Sequence, residues 1–201
     1  MMVKICGITN RDDAMAAVDA GASAIGFNFY HDSPRYISPT GAAIIAEKLP
    51  AEVWKVGVFV DETAETIARI GLQVGLDVAQ LHGLSQARGL RVWHACKAGD
   101  PDALNIAVAM LSADGTIEAF LLDAPSGPLQ GGTGVTWDWS IAKDLPHKII
   151  IAGGLDGDNV AQAIREAQPW GVDACSRLEK SPGLKDHFKM RKFIIAALEP
   201  Q

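Results

Sequence analysis

The sequence predicts an α/β protein, a single (β/α)8 (TIM) barrel spanning residues 1–201. Three observations predict it. Short β-rich apolar runs alternate with helical patterns from end to end, which argues a parallel sheet. These runs number eight, which argues closure into a barrel. An open doubly wound sheet is the alternative fold, but its usual GxGxxG is missing after the first run, where Cys6-Gly7-Ile8-Thr9 stands.

The first strand is read at Val3–Ile8 and the second at Ala24–Tyr30. The others are Trp54–Val60, Asp77–His82, Arg91–Cys96, Ala119–Asp123, Lys148–Ala152 and Gly171–Cys175. Each strand-plus-helix unit then has about 25 residues, lean for this architecture. Between the strands, apolar residues recur at i, i+3, i+4 and i+7. Ala14, Ala17, Val18 and Gly21 begin the series, followed by Ala42, Ile45, Ala46 and Leu49, then Ile67, Ile70, Gly71 and Val74. Leu104, Ala107, Val108 and Leu111 continue it, then Val160, Ala163, Ile164 and Ala167, then Met190, Phe193, Ile194 and Ala197. Ser38-Pro39 and Asp100-Pro101 each place a capping oxygen before a first-turn proline. One unit breaks the pattern. Only Leu84 to Arg88 separate Gly83 from Gly89, so the fourth helix is expected to be short or missing. The Gly/Pro-rich stretch Pro125–Gly134 lies inside a unit and reads as a loop, not a linker.

Composition narrows the function. The chain is 48% hydrophobic and 21% charged, enough for a sizeable core and too apolar for disorder. Its net charge of −6 disfavours nucleic acid and anionic membrane as partners. A local site can still be positive within that field and take an anionic small molecule. No apolar run reaches the ~18 residues of a membrane span, and Met1–Gly7 shows no signal-peptide pattern. Cys6, Cys96 and Cys175 are odd in number and widely spaced, which disfavours disulfides and thiolate zinc and fits a reducing cytoplasm. His31, His82, His94, His147 and His187 form no short metal-binding pair, so no metal is expected.

In a (β/α)8 barrel, active sites lie at the C-terminal ends of the strands. The polar residues there are Cys6, Asn28, Gln80, His82, Asp123, Asp173 and Ser176. Alternation puts Gln80 with His82 on one side of their strand and Leu121 with Asp123 on one side of theirs. Asp123 ends an apolar run, where an acid is costly unless it is solvated, paired or used; a loop cap is the bland reading. Cys6 alone reads as a buried packing residue, and His82 alone as a ring satisfied by a carbonyl. Ile149–Leu155 runs a buried strand into Gly153-Gly154, with a helix expected from near Asp156. Such a turn suits phosphate, and strands seven and eight are where barrels commonly hold it; a plain tight turn is the other reading. Gln130–Gly134 reads as a flexible loop or a lid. Arg35 is either a surface arginine or a clamp for a carboxylate or phosphate.

These residues carry a resemblance. Val3–Thr9, Gly26–Phe29 with Ser33–Ile37, Val56–Val60 and Gln80–Gly83 resemble the phosphoribosylanthranilate isomerase family of tryptophan biosynthesis. Leu121–Asp123, Gly131–Gly134 with Trp137–Trp139, Ala152–Leu155, and Pro182-Gly183 with Lys185–His187 continue it in the family's order. The segment reading Lys4-Ile5-Cys6-Gly7-Ile8-Thr9 and the segment Gln80–Gly83 are the most specific. The resemblance implies an Amadori rearrangement of N-(5-phosphoribosyl)anthranilate, with Cys6 as general base and Asp123 as general acid. It implies that Arg35 holds the anthranilate carboxylate, that Asp173 contacts sugar hydroxyls, and that Gln80 and His82 line the pocket. Gly153, Gly154 and Ser176 would hold phosphate. No cofactor or metal is implied, and the assembly is a monomer or a homodimer.

The chain departs from the family at Asp173–Arg177, where Cys175 replaces a hydroxyl and Arg177 a glycine. An arginine there either changes the loop, points outward or serves the phosphate. Among other phosphosugar barrels, indole-glycerol-phosphate synthase wants strand-end lysines, for which only Lys97 is a candidate, and ribulose-phosphate epimerases want metal ligands. Lys4 and Lys55 are read as lying early in their strands, on the side away from the active face. A non-catalytic phosphate-binding barrel is the remaining alternative, opposed by the presence of both Cys6 and Asp123.

Overall fold

A computed structural model describes residues 1–83, 85–98, 117–124, 137–143, 145 and 147–199. Eight parallel strands close into a barrel in sequence order: β1 (Met2–Ile5), β2 (Ala24–Asn28), β3 (Trp54–Val60), β4 (Val78–His82), β5 (Arg91–Lys97), β6 (Ile117–Asp123), β7 (Ile149–Ile151) and β8 (Gly171–Ala174). β1 pairs with β8 at Lys4↔Asp173 and Ile5↔Ala174, which seals the ring. Among the described residues, the α-helices are α1 (Arg11–Asp19), α2 (Pro39–Ala46), α3 (Ala64–Val74), α4 (Val160–Ala167) and α5 (His187–Leu198).

Alternation along each strand makes two cores. Val3, Ile5, Ile25, Phe27, Phe59 and Leu81 point outward and are buried under the helices. The helical stripes read from the sequence supply the other half of that layer: Ala14, Ala42, Ile45, Ile67, Ile70, Ala163, Ile164, Phe193 and Ile194 are all buried. Val56, Val78, Trp93, Ala119, Leu121 and Ile150 fill the barrel interior. Trp54, Trp93 and Trp170 meet with ring centroids 5.8–6.0 Å apart at the N-terminal end of the strands. These rings pack the N-terminal end of the barrel interior.

Ser38 caps α2, its hydroxyl accepting from the Gly41 amide at 3.1 Å, with Pro39 in the first turn. The Asp100-Pro101 cap, the stripe Leu104–Leu111 and the loops within Pro125–Gly134 fall outside the described residues. Residues 85–90 hold no helix between β4 and β5. Leu90 takes its place against α3: a Cβ on Gly71 would lie 2.8 Å from Leu90 Cδ1. Ser85 accepts from the Glu62 amide at 2.8 Å and ties this connection to the start of α3.

The sequence reading lacked one element. After β8, a 3-10 turn at Ser176–Leu178 leads into a hairpin of β9 (Glu179–Ser181) and β10 (Leu184–Lys185). Strands of two and three residues give too little alternation to read from a sequence.

Candidate active site

The strand ends open into a cavity. Cys6, just past β1, faces it, with Asn28 from β2, Gln80 and His82 from β4, and Asp123 from β6. Gly153 and Gly154, after β7, and Asp173 and Ser176, from and after β8, line it as well. Arg35, on the loop after β2, reaches the rim. The structure thus brings together residues spread from position 6 to position 176.

The two candidate proton carriers are pushed in opposite directions. A hydrogen bond from Cys175 lowers the Cys6 thiol most; burial opposes it, and the Lys4 ammonium adds to the lowering, leaving it at about 7. Burial pushes Asp123 up to about 6, and the charge of Asp173 adds to this. The Ala124 amide donates to Asp123 Oδ1 at 2.9 Å and only partly opposes the rise.

His82 is held neutral. Burial lowers it to about 4, and Lys4 contributes in the same sense. Gln80 Nε2 lies 3.1 Å from His82 Nε2, so the neutral ring accepts there. That leaves Gln80 Oε1 buried without a partner, an acceptor available beside the cavity.

Lys4 corrects the sequence reading. It faces into the barrel and not toward the helices, and it is fully buried. Its Nζ lies 3.0 Å from Asp173 Oδ1. Lys4 and Cys6 are two apart, so alternation already placed them on one face; its ion-pair partner, from the far end of the chain, was the missing information. Lys55 does lie on the helix side, in register with Ile25 and 3.4 Å from Asp77 Oδ2.

Arg35 is already engaged. Its Nε donates to Glu179 Oε1 and Oε2 at 2.9 and 3.1 Å, and its Nη2 to Oε2 at 2.8 Å. Glu179 Oε1 also accepts from Lys185 Nζ at 2.9 Å and from the Gly183 amide at 3.3 Å. Burial works against the Glu179 charge, but Arg35 and Lys185 outweigh it and hold the carboxyl below its ordinary range. Glu179 was not singled out from the sequence, because the hairpin that carries it was not.

At the glycine pair, Gly153 and Gly154 have φ of +81° and +65°. The following helix begins at Val160 and not near Asp156. Asp156 Oδ1 first accepts from the amides of Asp158 and Asn159 at 2.8 and 3.2 Å, closing a turn, and Asn159 Nδ2 donates back to Gly154 O at 2.8 Å. Arg177 sits in the 3-10 turn, where its backbone avoids the left-handed region, and its Nη1 reaches Asp156 Oδ2 at 2.6 Å. The arginine therefore costs no left-handed strain and bridges the two loops of this wall.

Residues 3–196 match the family model for N-(5'-phosphoribosyl)anthranilate (PRA) isomerase. The chain belongs to the phosphoribosylanthranilate isomerase family. A relative of that name from Solibacter usitatus is 47% identical over 202 residues, covering 98% of this chain and 97% of its own. One from Geobacter sp. (strain M21) is 46% identical, covering 97% of each. The solved phosphoribosyl anthranilate isomerase of Thermotoga maritima superposes with a TM-score of 0.87 at 35% identity, covering 98% of both chains. Another solved isomerase, in complex with reduced 1-(o-carboxyphenylamino)-1-deoxyribulose 5-phosphate, superposes with a TM-score of 0.84 at 34% identity and the same coverage. In this chain Cys175 interacts with Cys6, and Arg177 bridges to Asp156. Among the described residues, no helix is long and apolar enough to cross a membrane.

Proposed function

We propose that Cys6 and Asp123 carry the protons of the aldose–ketose rearrangement that this isomerase catalyses on N-(5-phosphoribosyl)anthranilate, in tryptophan biosynthesis. The single supporting observation is the opposed pair of pKa shifts on two groups lining one cavity, a thiol lowered to about 7 and a carboxyl raised to about 6. Groups poised near neutrality can exchange protons at working pH.

The sequence of steps follows from the chemistry. The Asp123 carboxyl gives its proton to the ribose ring oxygen. The bond from C1 to that oxygen breaks and the anthranilate nitrogen lone pair forms C1=N⁺. The Cys6 thiolate then takes the proton from C2, and the electron pair moves to C1=C2 and onto nitrogen, giving an enolamine. Protonation at C1 and loss of the C2 hydroxyl proton yield the ketone. Nothing is oxidised overall, because C1 is reduced as C2 is oxidised. No metal or cofactor enters these steps.

The other residues bind. Arg35 is assigned to the anthranilate carboxylate, oriented by Glu179. Asp173 takes the sugar hydroxyls, and Gln80 Oε1 accepts a hydrogen bond from the substrate beside a neutral His82. Gly153, Gly154 and Ser176 take the phosphate. The finer reading of partners is one small-molecule substrate and a monomer or homodimer, in the cytoplasm.

The test is the decay of phosphoribosylanthranilate fluorescence with Cys6→Ala and Asp123→Asn beside wild type. Each variant is expected to lose about 10²–10⁴ in kcat while staying folded. Turnover surviving in both variants would discard this assignment of the protons.

A further inference from the structure

The barrel interior holds a full charge that the proposed proton transfers do not use. Lys4 is 0% exposed, in the layer directly below Cys6. Its Nζ contacts Asp173 Oδ1 at 3.0 Å, and its charge acts on the Cys6 thiol. A buried ion pair is a poor way to fill a barrel. Apolar residues of the same volume are often as stable or more so, because both charges lose their hydration. Its presence at this level therefore calls for a reason other than stability.

The neighbouring strand is shaped around the contact. Gly26 of β2 faces the same interior, and a Cβ there would lie 3.0 Å from Lys4 Cε and 3.0 Å from Cys6 Sγ. The bare glycine lets the lysine stem rise alongside the thiol. Any side chain at that position would displace one or the other.

We infer that Lys4 is a positioning residue for the Cys6 base: its buried ammonium, held in place by Asp173, keeps the Cys6 sulfur in the thiolate form. The inference rests on Cys6 being the base. The charged and titratable groups facing the sulfur are Lys4 on its own strand, Asp173 and Cys175 at the end of β8, and Arg35 from the loop after β2. Lys4 acts more strongly on Cys6 than Asp173 does in the opposite sense, so the pair is a net stabiliser of the anion. Burial disfavours the charged lysine, yet Asp173 and Cys6 together keep it protonated. The same ammonium lowers His82, so one buried cation favours the anionic thiolate and the neutral imidazole together.

The test reads the thiolate directly. Wild-type chain and Lys4→Met are alkylated with iodoacetamide across pH, and the Cys6 peptide is followed by mass. Cys96 is pushed up to about 12 and Cys175 well above the ordinary thiol, so neither competes near neutrality. Wild type is expected to show a midpoint near 7. In Lys4→Met the midpoint moves up, and the rate at pH 7 falls about tenfold for each unit moved. If Lys4→Met fails to fold, Lys4→Met/Asp173→Asn removes the pair together and is expected to show the same direction of shift. An unchanged midpoint in whichever folded variant is used overturns the inference. Alkylation requires no turnover, so this outcome is separate from the proton assignment, which the Cys6→Ala and Asp123→Asn kinetics test.

Discussion

Gly153 backs directly onto Asp123: a Cβ at Gly153 would lie 2.8 Å from Asp123 Oδ1 and would overlap the Ala124 backbone nitrogen. Those are the two atoms of the hydrogen bond that orients the Asp123 carboxyl. The glycine assigned to phosphate therefore also sets the position of the assigned acid. Phosphate seating and proton delivery share one turn.

Gly153→Ala should damage both stability and rate. Its φ of +81° is strained for any L side chain, at a cost of about 1–2 kcal/mol. For a chain of this size that lowers Tm by roughly 2–8 °C. Pushing Asp123 out of line should lower kcat by about 10²-fold. Thermal melts and steady-state kinetics on the purified variant check this; a variant with unchanged kcat would separate the glycine from the acid.

The pH profile should be a bell with limbs near 6 and 7. The working form needs Asp123 protonated and Cys6 ionised. Asp123 is the more acidic of the two, so activity rises through the lower value and falls through the upper one. Only on the order of one free molecule in twenty holds the working arrangement at the optimum. In kcat/KM measurements, Cys175→Ala should move the Cys6 limb up, since the Cys175 hydrogen bond is the largest cause of its lowering. Cys175→Ser keeps a donor and should keep the limb. A limb that stays put in Cys175→Ala would rule out that bond as the tuning contact.

Glu179→Ala should loosen the rim as well as the hairpin. It leaves Arg35 and the fully buried Lys185 without their shared carboxylate. Breaking one side of a buried pair costs about 3–5 kcal/mol, readable by urea unfolding. With Arg35 no longer oriented, KM should rise more than kcat falls. Arg35→Lys should raise KM as well, because a lysine cannot make the two-pronged contact. A KM unchanged in both variants would remove Arg35 from the substrate.

Much of this protein was legible in its sequence. The barrel followed from apolar strands alternating with helical stripes, because burial on both faces of a parallel sheet leaves that pattern in the chain. Cys6, Gln80, His82, Asp123 and Asp173 were found by their place at strand ends. The helix missing between β4 and β5 was visible in five residues, Leu84–Arg88, too few for more than one turn. What substitutes for it, Leu90 seated on Gly71, was not.

The chain alone determined which residues reach the mouth of the barrel, since two-residue alternation is a local property of each strand. Tertiary structure alone decided their charges. Lys4 and Asp173, paired at 3.0 Å, are 169 positions apart. Arg35 and Glu179 are 144 apart, and Cys6 meets Cys175 only because β1 closes on β8. A pKa is set by burial and by charges within a few ångströms. Those neighbours come from opposite ends of the chain and become neighbours only when the ring closes.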